Sequence, residues 1–191
     1  MKAADGGSDR RRSLAFLAKF AALLVAFYFL IAWRPVNDAV VVPFTAGVAQ
    51  VSSALLRLLG EGTTVSGTEI RSASFAVNIE NGCNGVETAL LFGAAVLAFP
   101  APWRRRLVGL IAGFAAIQAI NLVRVVSLFW IGAHRPALFS SSHTVLWQSI
   151  VVLCGVLLFL AWATREQRVR AAAPAADGRA GRDRNGRDRS R

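Results

Sequence analysis

Histidine, tyrosine, methionine and cysteine are scarce in this chain: two, one, one and two among 191 residues. With Cys83 and Cys154 alone, no disulfide framework is expected, and the lack of a Cys-x-x-Cys pair argues against thiol–disulfide exchange. No HExxH, GxSxG or Walker loop occurs, so metalloprotease, serine hydrolase and P-loop chemistry have no support, and no metal or cofactor is called for. Acidic residues are also few, 11 against 22 basic, for a net charge of +11. Such a charge would suit nucleic acid, but the basic residues flank apolar segments. Orientation in a membrane explains them more simply, and no nucleic-acid partner is expected. No internal repeat of the transporter kind is present.

What the chain has in abundance is apolar length. Hydrophobic residues make up 54% of it and the mean hydropathy is +0.46, which is membrane composition. Residues 1–13 are polar, carry Arg10-Arg-Arg12, and read as a disordered cytoplasmic N-terminus. Residues 14–33 form an apolar run broken only by Lys19, whose ammonium can snorkel to the interface. The run is too long for the core of an export signal, so it reads as a retained first helix. Residues 34–82 are expected outside the cytoplasm. Within them, 36–60 has apolar residues at helical spacing mixed with Asn37, Asp38, Gln50 and Arg57, which suits an amphipathic helix on the membrane; Pro43 is expected to break it early. If this segment crossed, every later one would invert. Ser66-Gly67-Thr68 predicts the turn of a small β-hairpin.

Three further spans follow, at 82–100, 107–131 and 144–162, within a core of residues 83–163. Residues 164–191 read as a disordered basic tail. Five Lys and Arg fall in the first nineteen residues, three at 104–106 and nine from Arg165 on. The opposite side holds only Arg34, Arg57, Arg71 and Arg135. The predicted fold is therefore an all-α integral membrane bundle of about four transmembrane helices, with both termini cytoplasmic.

That topology brings three reactive residues to the outer leaflet. Cys83 opens the second span, where unpaired N–H groups at a helix start favour a thiolate. His143 opens the fourth span and is a candidate general base. Arg124 lies roughly 10 Å below the outer surface. An arginine there is costly and needs an inward-facing partner. Asn121 and Ser127 share its stripe, whereas Gln118 is not quite aligned and reads as helix packing. Glu87, one turn after Cys83, is a candidate to orient His143 or to neutralise Arg124; Asn84 keeps the backbone around Cys83 turn-like. Cys154 sits mid-span and reads as packing, and His134 has no evident partner. A thiol, an imidazole and a guanidinium together suit acyl transfer.

The stretches Glu80-Asn-Gly-Cys-Asn-Gly-Val-Glu87, Asn121-Leu-Val-Arg-Val-Val126 and His143-Thr-Val-Leu-Trp147 together resemble the exosortase/archaeosortase family of membrane transpeptidases. The likeness covers about residues 79–162 and is most like the exosortase H branch. Larger exosortases carry Cys-Ser-Gly-like motifs and about twice as many spans, so the chain departs from them. The resemblance implies that Cys83 is the nucleophile, with Arg124 and His143 its partners. It implies substrates that are exported proteins with a C-terminal tag: a motif similar to Ile-Pro-Thr-Leu-x-x-Trp-Gly, a transmembrane helix and a basic cluster. It implies transfer to an acceptor such as a surface glycan or lipid, at the outer face of a bacterial inner membrane. The competing expectation is a non-catalytic scaffold or small transporter subunit held together by an Arg124–Glu87 pair.

Overall fold

The computed structural model describes the backbone of residues 5–141 and 146–188, and the side chains of 10–139 and 146–172. The elements are α1 (Asp5–Ala32), α2 (Arg34–Val36), a π-helical turn (Asn37–Val41), α3 (Val42–Leu58), β1 (Thr64–Ser66), β2 (Glu69–Arg71), β3 (Ala76–Asn78), α4 (Val86–Ala98), α5 (Trp103–His134), α6 (Pro136–Ser141) and α7 (Gln148–Asp188). This is an all-α membrane bundle with one small sheet.

Four helices are long and apolar enough to cross a membrane: Arg10–Ala32, Arg34–Leu58, Trp103–His134 and Gln148–Ala172. The sequence also predicts four, but with residues 82–100 in place of 34–58. Val86–Ala98 is a shorter apolar helix. Its 13 residues rise ~20 Å. It ends because Phe99 turns extended, at ψ 135°, ahead of Pro100.

Side-chain contacts set the levels of these helices. At one end, Phe16 of α1 and Phe99 beyond α4 both meet Phe159 of α7, with ring centroids 6.1 and 6.2 Å apart. At the other end, Ile31, Val36 and Val86 line one apolar hollow. So α1 and α4 lie side by side through the same layer. The segment 34–58 does something else. Phe44 tilts against Phe114 of α5, Leu59 shares a groove with Trp130, and Glu61 comes within 3.6 Å of His134. It therefore climbs parallel to α5, away from the Phe16–Phe99 end, although its length would allow a crossing. Pro43 does not stop it. The proline sits in the first turn of α3, and the wide turn Asn37–Val41 just before it relieves the missing N–H.

α5 is 32 residues, ~48 Å, longer than the ~30 Å hydrocarbon layer. Its surplus length supports a cap made of α3 and the sheet. Leu56, Ile70 and Phe129 are fully buried where these parts meet. The predicted hairpin is there, turning at Gly67-Thr68 with Gly67 at φ +59°, as a tight two-residue turn requires. A third strand, Ala76–Asn78, extends it antiparallel to β2. Within the bundle, close approach depends on small residues. A side chain on Gly113 would meet the Phe92 ring, and one on Gly109 would meet Trp162 at 2.5 Å.

Beyond residue 163, where a tail without regular structure is expected, α7 continues to Asp188. Alanine and arginine both favour helix, and Glu166 is buried on Arg105 at 3.1 Å. Arg12, Pro100, Thr164 and Gln167 line one hollow, so the basic clusters at 10–12, 104–106 and 165–170 gather at a single end of the bundle. The loop predicted after α5 contains the short helix α6.

Candidate active site

The loop Glu80–Gly85 sits where the bundle meets the cap. Gly82 and Gly85 have φ of +89° and +77°, which lets the chain fold back twice in four residues. The Cys83 N–H donates to the Glu80 carbonyl at 3.0 Å, closing the turn. The helix begins only at Val86. Cys83 thus precedes the helix instead of opening it, and lies in the connecting loop outside the spanning segments.

Two contacts clamp this loop to the segment before the sheet. Asn84 is fully buried; its Nδ2 donates to Thr45 Oγ1 at 2.9 Å, and its Oδ1 accepts from the Val86 N–H at 3.0 Å. Thr45 in turn donates to the Val41 carbonyl at 2.8 Å, inside the π-helical turn. Asn81 Nδ2 donates to Asn37 Oδ1 at 2.9 Å. Sequence reasoning missed Thr45 and Asn37. Both sit about forty residues before their partners, and no local pattern links them.

Arg124 is only 2% exposed. Its Nη2 lies 3.4 Å from Cys83 Sγ, and its Nη1 lies 3.4 Å from the Gly82 carbonyl. No carboxylate is paired with it among the described residues. The Arg124–Glu87 pair of the scaffold reading is not formed among the described residues. Glu87 Oε1 instead accepts from the Gly82 N–H at 2.7 Å, holding the loop from the α4 side. Ser127, expected to join the polar face, gives its hydroxyl to the Arg124 carbonyl at 2.9 Å.

Asn121 is fully buried, and neither of its amide atoms has a partner among the described residues. The Gln118 carboxamide is also buried and has no partner among the described residues. Its side chain is long enough to swing its amide beside Asn121, under Gly85. A Cβ on Gly85 would lie 3.0 Å from Gln118 Nε2 and 3.1 Å from Asn121 Cγ.

Burial pushes the Cys83 thiol above its ordinary range, and the Arg124 guanidinium pulls in the opposite direction. Glu80 and Glu87 add to the upward push, and the net shift is upward. The thiolate is therefore not favoured by position alone, as a helix start would have favoured it; desolvation wins.

His143 lies outside the described residues. Among the described residues α7 runs from Gln148, and a Cβ added at Gly155, one turn beyond Val151, would lie 2.8 Å from Thr88 Cγ2. Counting upward at helical rise, α7 begins ~10 Å above Thr88, near the level of the Cys83 loop. His134 lies in the cap, stacked on Trp130 with centroids 4.7 Å apart. Cys154 is half-buried in α7 and forms no disulfide with Cys83.

Residues 10–163 match the family described as transmembrane exosortase (Exosortase_EpsH). No curated protein and no solved structure matches the chain. The matched region runs from within α1 to within α7 and takes in α3–α6, the sheet and the Cys83–Arg124 contact. This multi-pass membrane protein belongs to the transmembrane exosortase family, whose members have a membrane transpeptidase-type role in the processing of exported proteins.

Proposed function

We propose that this chain is a cysteine transpeptidase that removes a C-terminal sorting tag from exported proteins and passes them to a surface acceptor. One observation carries the proposal: the buried Arg124 guanidinium, without a carboxylate partner among the described residues, lies against Cys83 Sγ. A buried cation beside a thiol suits the charge that develops when the thiol attacks.

Cys83 loses its proton to His143 and its sulfur attacks the scissile carbonyl carbon. A C–S bond forms, and the carbonyl oxygen takes up negative charge in reach of Arg124. The intermediate collapses, the peptide C–N bond breaks, and the leaving amine takes the proton from His143. The tag departs and a thioester remains on Cys83. An acceptor nucleophile, on a glycan or lipid, then attacks the thioester and gives its proton to His143; the C–S bond breaks, and the Cys83 sulfur takes that proton back. Asn84 and Glu87 hold the loop during these steps, and Asn121 borders it from α5.

The single basic end of the bundle supports a cytoplasmic position for that end under the positive-inside rule. The Cys83 loop then faces the periplasm, in a bacterial inner membrane. A scaffold built on an Arg124–Glu87 pair has no such pair to rest on.

Co-expression with a substrate bearing a C-terminal tag of the kind described above, followed on a gel, tests the proposal. Wild type should shorten the substrate, and Cys83→Ser should leave it intact while accumulating normally. Equal shortening in both would reject a cysteine mechanism.

A further inference from the structure

Six buried polar atoms around the site have no partner among the described residues: Glu87 Oε2, both amide atoms of Gln118, both of Asn121, and Arg124 Nε. Nearly all buried polar atoms in folded proteins are paired, so a group of exceptions marks a missing partner. Three of the four side chains form a ladder on α5. Counting from Arg124, Asn121 stands ~4.5 Å and Gln118 ~9 Å deeper along the helix. Gly85, two residues from Cys83, lies over the two amides, so that a Cβ there would come 3.0 Å from Gln118 Nε2 and 3.1 Å from Asn121 Cγ.

A carboxamide offers a donor and an acceptor side by side, the complement of a peptide unit. A substrate cut by Cys83 must be extended at the scissile bond, since a helix shields its own carbonyls. If that substrate is anchored in the membrane, its extended backbone enters a lipid-facing region where N–H and C=O groups find no water. We infer that Gln118 and Asn121 bind the extended backbone of the substrate between the scissile bond and its membrane anchor. The peptide enters where Gly85 covers the amides, with the Asn84 and Glu87 anchors of the Cys83 loop kept. Because backbone groups are read, side-chain identity in that stretch is tolerated. The inference rests on the transpeptidase proposal and adds a subsite to it.

The test is the double variant Gln118→Leu and Asn121→Leu in the full chain, with three readouts. Removing unpaired buried polar atoms breaks no hydrogen bond, so the melting temperature should hold or rise. Alkylation of Cys83 by a small maleimide should stay near wild type, because Arg124 is untouched. Removal of the co-expressed tag should fall about 10- to 100-fold, the scale of losing a few neutral hydrogen bonds to the substrate. Tag removal at the wild-type rate would overturn the inference. So would alkylation falling in step with tag removal, since the amides would then be positioning Cys83. If the leucines lower the melting temperature, Gln118→Ala with Asn121→Ala, both smaller than the residues they replace, is judged on the same readouts. A wild type that leaves the tag intact defeats the transpeptidase proposal itself; a wild type that removes it, beside a variant that does so equally, defeats only the subsite.

Discussion

Replacing Arg124 by glutamine should lower tag removal about 1,000-fold, the upper range for losing one donor to an oxyanion. Two losses combine. The developing oxyanion loses its cation, and the Cys83 thiolate loses the strongest influence that opposes burial. The second loss can be isolated with a small alkylating reagent, which needs no oxyanion. Alkylation follows the thiolate fraction. Burial already holds the Cys83 thiol above its ordinary range, and removing Arg124 raises it further. The alkylation profile of the variant should therefore move to higher pH, and at any pH below the new midpoint the rate should be lower. A profile that did not move would mean that the 3.4 Å contact carries no charge interaction. Protein abundance should change little, because no carboxylate paired with Arg124 is left behind among the described residues. A scaffold held by a buried ion pair would behave the other way: breaking such a pair costs about 3–5 kcal/mol, and the protein would be lost.

The second large effect should come from a residue that touches neither sulfur nor guanidinium. Thr45→Val keeps the shape and removes the hydroxyl. Asn84, fully buried, then has an amide N–H group with no acceptor. An orphaned group of this kind costs about 1–3 kcal/mol. Asn84 relieves it by turning toward another acceptor, and its Oδ1 leaves the Val86 N–H that starts α4. The loop carrying Cys83 loses its anchor on the cap side, while Glu87 still holds Gly82 from the other. A displacement of about 1 Å at a reacting group costs on the order of 100-fold. Thr45→Val should thus lose most tag removal and melt at a lower temperature. Thr45→Ser, which restores the hydroxyl, should recover both. Failure of serine to restore tag removal would show that the clamp does not position Cys83.

Much of the fold can be read locally. The apolar run from Leu14 announces α1, and the long stretch after Arg106 announces α5. Gly67 marks the hairpin turn because only a residue free of Cβ strain takes φ +59° readily. Arg124 stands out because burying a guanidinium in lipid is so costly that it must face something, and it faces Cys83. What escapes is set by contacts between distant parts of the chain. Asn37 is among the polar residues that make 36–60 look interfacial, yet it meets Asn81, and Thr45 in the same segment meets Asn84. Hydropathy alone would let the segment cross, and only its packing along α5 gives its direction. In the sequence Glu87 is a candidate for either His143 or Arg124, but Gly82 folds back and offers it an N–H. Gln118 looked misaligned because helical spacing describes where a side chain starts, not where a long one ends.

The central claim is a covalent bond to Cys83. Incubating the purified enzyme with tagged substrate and quenching in acid should yield an enzyme species heavier by the substrate fragment upstream of the cut. Hydroxylamine should release that fragment, and Cys83→Ser should not form the species. Tag removal with no such adduct at any time, or an adduct that persists in Cys83→Ser, would contradict the account.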